Sequence, residues 1–133
     1  MLVKRHRDTA QLRAKQVVRL SALLCELQPG GTRSKTTPSR AIQLLEGLDV
    51  VEEVTRARVL IAREHLDDIA RLDTALGASR TRISSAVTAS GTTLCDIVGV
   101  GPICAATILG HTGNIERFST KAQFAMYNAT API

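Results

Sequence analysis

The sequence is poor in aromatic residues. It has no Trp, one Tyr and two Phe among 133 residues, and all three aromatics lie between residues 118 and 127. Aromatic side chains dominate the packing of many cores, so we expect a compact core near the C-terminus. The rest of the chain must pack through Leu, Ile, Val and Ala, which suits helices that associate along an apolar seam.

Cysteine and histidine are also scarce. The three cysteines, Cys25, Cys95 and Cys104, are an odd number and contain no C-x-x-C pair. This pattern argues against a disulfide framework and against a zinc ribbon, and it predicts a reduced, cytoplasmic setting. The three histidines share no ligand spacing with these cysteines. We therefore expect no metal or other cofactor to be bound by this chain.

Long apolar runs and strand patterns are missing as well. No apolar run approaches the roughly 20 residues that span a bilayer, and the basic start is not followed by the apolar stretch of a signal peptide. No segment alternates strongly enough to predict a strand. Apolar residues make up 44% and charged residues 22%, a composition typical of a folded protein. Without strand patterns or long apolar runs, we expect an all-α protein without a membrane partner.

Positive charge is concentrated at the beginning of the chain. The net charge is +5, but residues 1–40 hold nine of the seventeen Lys and Arg with only two acids, a net +7, and the remainder is −2. Such an arm predicts contact with phosphates, and the alternative is a solvated helix face. The candidate nucleic-acid patch is Lys4, Arg5, Arg7, Arg13, Lys15, Arg19, Arg33, Lys35 and Arg40.

Apolar spacing predicts three helices in residues 1–90. Residues 1–27 read as one helix, and a loop follows at residues 28–38. A short helix runs from about residue 38 to residue 45, with Pro38 in its first turn and Gly47 ending it. A long helix then covers residues 49–88, with Asp49 as its N-cap and Glu52 and Glu53 in its first turn.

The long helix carries a heptad-like seam. Ala62, Ile69, Leu76 and Ile83 are seven residues apart, although charged residues interrupt the companion positions. Two interpretations stay open. The seam packs against helix 1–27 of the same chain, or it forms an intermolecular coiled coil and makes the protein a homo-oligomer.

A second break at residues 89–93 divides the chain into a helical, coiled-coil region at 1–90 and a small domain of short helices at 91–133. This domain contains Gly99-Val100-Gly101-Pro102. The two glycines can take positive φ, and Pro102 suits the first turn of a helix. The pattern resembles a helix-hairpin-helix motif, in which amides of the hairpin and of the second helix point at a DNA phosphate. The alternative is a helical corner that binds nothing.

Further elements follow this turn in order. They are Gly-Asn-Ile, Arg-Phe, Gln, Tyr and Ala-Pro at residues 113–115, 117–118, 123, 127 and 131–132. The run from residue 97 to residue 132 resembles the C-terminal domain of the insertion-sequence 110 family of transposases (the IS116/IS110/IS902 type). Helix 1–27 is similar to the helical segment that follows the catalytic domain in that family. One departure is Ala129, where the family has Gly, and Ala would be strained there if positive φ is required.

The resemblance implies a DNA-binding part of a transposase that acts in DNA transposition and recombination. Arg117 and Lys121 would flank the hairpin and contact DNA, and basic surfaces would contact a guide RNA. The family's catalysis uses four acids of a RuvC-like domain, which hold a divalent metal such as Mg²⁺, and a serine beyond the Ala-Pro element. No residue here matches these groups, so we expect a fragment that is inactive alone.

Two alternative functions also fit the residues. One is a stand-alone helix-hairpin-helix module that binds DNA, and the other is a helical oligomerisation module without a nucleic-acid role. Phosphate contacts make binding depend on salt, so salt-dependent DNA binding separates the oligomerisation module from the other two.

Overall fold

The computed structural model describes residues 1–28 and 35–130, and within them all regular structure is helical. This confirms the predicted all-α fold for the described residues. The predicted loop at 28–38 lies largely outside them. The helices are α1 (Leu2–Leu27), α2 (Pro38–Glu46), α3 (Glu53–Ala89), α4 (Pro102–Thr112) and α5 (Lys121–Tyr127), with 3-10 turns at Leu94–Asp96 and Ile115–Arg117.

The chain forms two compact units, Met1–Ser85 and Ala86–Ile133. In the first unit, α1 and α3 run antiparallel. Glu26 at the end of α1 pairs with Arg58 near the start of α3, with 3.3 Å between Oε2 and Nε. At the opposite end, His6 Nδ1 lies 3.1 Å from Ser79 Oγ. Low residue numbers on one helix therefore meet high numbers on the other, which is the signature of a helical hairpin.

The core of the first unit is aliphatic. Ala41 and Ala62 have no exposed surface, and their small side chains let the helices approach closely. Because Ala62 and Ile69 are buried in this core, same-chain packing accounts for this part of the α3 seam. Intermolecular pairing of α3 stays a prediction. The buried cluster comprises Leu20, Leu24, Ala41, Leu45, Val59, Ala62 and Ile69.

The caps of α2 agree with the sequence, whereas the start of α3 does not. Pro38 lies in the first turn of α2, and Gly47 is its C-cap. Asp49, however, is not the N-cap of α3, because that helix begins at Glu53. Leu48 and Val50 precede α3 and pack partly buried against the core. The free energy gained by packing these two side chains outweighs the N-cap preference of Asp49, which is worth about 1 kcal/mol.

The second unit contains α4, α5 and the chain's aromatic residues. The Phe118 ring lies 5.3 Å from the rings of both Phe124 and Tyr127, measured between centroids. The three aromatic side chains therefore contact one another, but Phe118 and Phe124 are only half-buried and Tyr127 is exposed. The buried core lies in the first unit instead, so the expectation of a compact core near the C-terminus is wrong. Gly113 ends α4 with φ 62° and ψ −136°, a combination that residues with a side chain rarely adopt.

None of the helices in residues 1–28 and 35–130 is long and apolar enough to cross a membrane.

Candidate nucleic-acid interface

A tight turn precedes α4, as the glycines predict. The backbone N–H of Val100 donates to the carbonyl oxygen of Ile97 at 3.0 Å, and Gly99 between them has φ +91°. Val98 at the apex is fully exposed. Gly101 instead has φ −82° and ψ 173°, which any residue can adopt. Only the first of the two glycines therefore meets the expectation of positive φ.

The arm before the turn is one 3-10 turn, Leu94–Asp96, rather than an α-helix. Positive-φ Gly91 and positive-φ Gly99 bracket it, so seven residues remain between the two reversals. Seven residues amount to at most about two turns of α-helix, which leaves no room for a long helix in this arm. Thr92 starts it by accepting the N–H of Leu94 on its Oγ1 at 3.3 Å.

The start of α4 is open to solvent. Its N-cap is Gly101, which has no side chain to bond to the helix, and Pro102 occupies the first turn. The N–H of Ala105 donates to the Gly101 carbonyl at 2.9 Å. The N–H groups of Ile103 and Cys104 come before this bond and have no acceptor within the helix. A Cβ added at Gly101 would meet no atom within 4 Å, so this side of the Gly101 backbone is uncrowded.

The elements that follow α4 mainly build turns and caps. Asn114 Oδ1 accepts the N–H of Glu116 at 3.0 Å and so starts the 3-10 turn. Thr120 caps α5 by accepting the N–H of Gln123 at 3.2 Å. In return, Gln123 Oε1 accepts the N–H of Ser119 at 2.8 Å. This exchange resembles a capping box.

Arg117 is part of the aromatic cluster. Its guanidinium carbon lies 4.5 Å from the Phe118 ring centroid and 4.6 Å from that of Tyr127. The Tyr127 hydroxyl donates to the carbonyl oxygen of His111 at 2.8 Å, and Arg117 Nη2 reaches the same oxygen at 3.5 Å. The predicted DNA-contacting Arg117 therefore also has a packing role that its sequence does not reveal. Lys121 is exposed as the first residue of α5.

Ala129 has φ +54°, so the expectation of strain at this position is confirmed. The N–H of Ala129 donates to the carbonyl oxygen of Met126 at 3.1 Å, and that of Thr130 donates to Ala125 at 2.9 Å. This pair of bonds is a Schellman motif, whose left-handed position normally holds glycine.

One member of the basic patch, Arg13, differs from the others because it forms an ion pair with an acid. Arg13 donates to Asp73 through Nε and through Nη2, the latter at 3.1 Å. The hydrogen bond to Asp73 raises the Arg13 pKa. Asp73 is one of the charged residues that interrupt the α3 seam, and in the structure it pairs with Arg13. Arg33 lies outside the described residues. The patch members that are exposed are Lys4, Arg5, Arg7, Lys15, Arg19, Lys35 and Arg40.

A polar bridge between α1 and α3 has no counterpart in the sequence analysis. His65 Nδ1 donates to Gln16 Oε1 at 2.7 Å, and Gln16 Nε2 donates to Asp68 Oδ2 at 3.2 Å. No spacing rule links residue 16 to residues 49 and 52 positions away. Only the antiparallel pairing of the two helices brings them together.

A divalent metal has no donor set in the described part of the chain, where no three His, Cys, Asp or Glu residues are grouped to hold one.

Comparison with protein families assigns the segment that contains the turn. Residues 91–133 match the family described as transposase, IS116/IS110/IS902 family. This segment of the chain is therefore similar to that transposase family. The match begins at the positive-φ Gly91 and includes the turn, α4 and α5, and it supports a transposase-related role. No curated protein and no solved structure matches the chain.

Proposed function

We propose that this transposase segment binds DNA, and that the turn at residues 97–104 holds a backbone phosphate. The observation that supports this most directly is the open start of α4. Two N–H groups there have no helical acceptor, Gly101 supplies no capping side chain, and the space beside it is empty to 4 Å.

The chemistry of a helix start suits a phosphate. The aligned peptide dipoles give the N-terminus of a helix a partial positive charge of about half an elementary charge. The free amides of Ile103 and Cys104 add directed hydrogen bonds. A contact of this kind fixes the position of the duplex without reading its sequence. The bound DNA would therefore be positioned here and not selected by base.

Among the three functions that the residues allow, the family match favours the transposase over a stand-alone hairpin module. Cutting and joining of DNA would still depend on metal-binding acids and a serine that no residue here matches. Contact with a guide RNA and homo-oligomerisation through α3 stay predictions. A pure oligomerisation module would not bind DNA in a salt-dependent way, and this difference is measurable.

The test is a charge placed at the proposed phosphate position. In a Gly101→Asp variant, the carboxylate would cap α4 and face the positive helix end, so the free energy of unfolding should not fall. The same carboxylate would repel a phosphate and occupy its amides. We expect the affinity for a short DNA duplex, measured by fluorescence anisotropy, to fall by about tenfold or more, because hydrogen bonds to charged groups are worth about 1.5–3 kcal/mol.

Gly101→Asn is the matched control. It has nearly the shape of Asp and also caps a helix, but it carries no charge, so its loss of affinity should be smaller. If the Asp variant folds normally and binds DNA as tightly as the unchanged protein, the turn is not a phosphate site.

A further inference from the structure

The outer face of α1 carries exposed cations that the fold itself does not use. Lys4, Arg7, Lys15 and Arg19 are exposed. At 100° per residue, each is turned by roughly 120–180° from the mean direction of the buried Leu20 and Leu24. They therefore share the side of the helix that faces away from the core of the first unit.

Four other arginines of this unit, Arg13, Arg56, Arg58 and Arg71, are paired with acids. Ion pairs join Arg13 to Asp73, Arg58 to Glu26, and two neighbouring pairs on α3. Within residues 1–28 and 35–130, none of the four outer cations of α1 takes part in a salt bridge. The inner cation of α1 is neutralised, and the outer ones keep their charge available for a partner.

The four cations form two pairs along the helix. Lys4 and Arg7 are centred about eleven residues before Lys15 and Arg19, so the pairs are separated by roughly 17 Å at 1.5 Å per residue. The major groove of B-DNA is roughly 12 Å wide, and flexible Lys and Arg side chains extend several ångströms beyond the helix surface. A helix that crosses the groove can therefore reach phosphates on both of its edges.

We propose that α1 crosses a groove of duplex DNA, with Lys4 and Arg7 on the phosphates of one strand and Lys15 and Arg19 on those of the other. The choice of DNA rests on the proposed DNA-binding function, but the surface is distinct from the turn before α4. Its contacts go to phosphates, so binding through α1 would depend on salt and hardly on base sequence.

Two double variants test this geometry in the full chain. Lys4→Gln with Arg7→Gln removes one pair, and Lys15→Gln with Arg19→Gln removes the other. Gln has nearly the helix propensity of Lys and Arg, so the helical circular dichroism should be preserved. The slope of log affinity against log salt should become shallower by about 1.8 for each pair, since each phosphate contact contributes about 0.9.

The matched control removes two exposed arginines of α3 with the same loss of charge. Arg63→Gln with Arg82→Gln should leave the salt slope unchanged. An equal decrease in this control would mean that net charge alone acts, and the α1 interface would be wrong. A decrease for only one α1 pair would overturn the crossing of a groove.

Two further outcomes separate this inference from the proposed function. If Gly101→Asp weakens DNA binding while both α1 double variants bind as before, the α1 interface alone is wrong. If the α1 variants lose affinity for duplex RNA and not for duplex DNA, the face binds RNA and the assignment to DNA is overturned.

Discussion

The unit Met1–Ser85 is packed through aliphatic side chains of long helices, whereas the unit Ala86–Ile133 relies on turns, caps and an aromatic cluster. The largest fully buried side chains, Leu20, Leu24, Ile69 and Ile83, all belong to the first unit. In the second unit, the buried residues that the structure describes are Val87, Ala105 and Thr112. Stability in the first unit should therefore follow buried area, and in the second it should depend on a few backbone conformations.

The two units can be observed separately. Tyr127 is the chain's one tyrosine, and the chain has no tryptophan, so tyrosine fluorescence and near-ultraviolet circular dichroism report mainly on the second unit. Far-ultraviolet circular dichroism is dominated by the long helices α1 and α3.

The largest effect is expected from a cavity in the aliphatic core. Leu24→Ala should lower the free energy of unfolding by about 3 kcal/mol, because it removes buried methyl groups and leaves a void. Leu24 is 1% exposed, and Leu12 on the same helix is 53% exposed. Leu12→Ala should thus change it by less than about 0.5 kcal/mol. Urea unfolding followed by far-ultraviolet circular dichroism measures both. Equal losses would contradict the division of α1 into inner and outer faces.

An intermediate effect is expected from the turn before α4. Gly99→Ala places a side chain at φ +91° and should destabilise the second unit by about 1–2 kcal/mol. Gly101→Ala meets an ordinary backbone conformation and open space, and it should cost only about 0.5 kcal/mol as a poorer N-cap. Thermal unfolding detected by tyrosine fluorescence compares the two. A larger loss at Gly101 would reverse our assignment of the strained glycine.

The smallest effect has the opposite sign. Ala129→Gly should stabilise the second unit by roughly 0.5–1 kcal/mol, since glycine accepts the left-handed conformation of the Schellman motif without strain. The same substitution at the exposed, helical Ala122 should instead destabilise it, because glycine is a poor helix former. Thermal unfolding of both variants in parallel provides the measurement. If Ala129→Gly destabilised the unit, the left-handed backbone of Ala129 would not be lowering its free energy of unfolding.

Helix positions were predictable from the sequence because apolar periodicity and Gly or Pro signals act locally. The ends of α1 and α2 agree with the prediction to within one residue. The predicted start of α3, residue 49, was wrong by four residues, because Leu48 and Val50 pack against the core in a non-helical segment. A local capping signal at Asp49 contains no information about that packing.

The candidate site was predictable to a lesser degree. The sequence indicated a tight turn before α4 but not which glycine has positive φ, because Gly-x-Gly permits several turn geometries. It also grouped Arg13 with the other basic residues. Its ion-pair partner Asp73 is sixty residues away in the sequence, so no local pattern reveals this pairing. Contacts between distant segments determine which cations remain available to a ligand.

Arg117 illustrates what this means for sequence change. Its flat guanidinium lies against Phe118 and Tyr127, so a lysine there would conserve the net charge of +5 but would not reproduce the stacking. A cation serves here as a packing group. Charge-conserving drift at position 117 would therefore alter the fold of the second unit before it altered the electrostatic field around the protein.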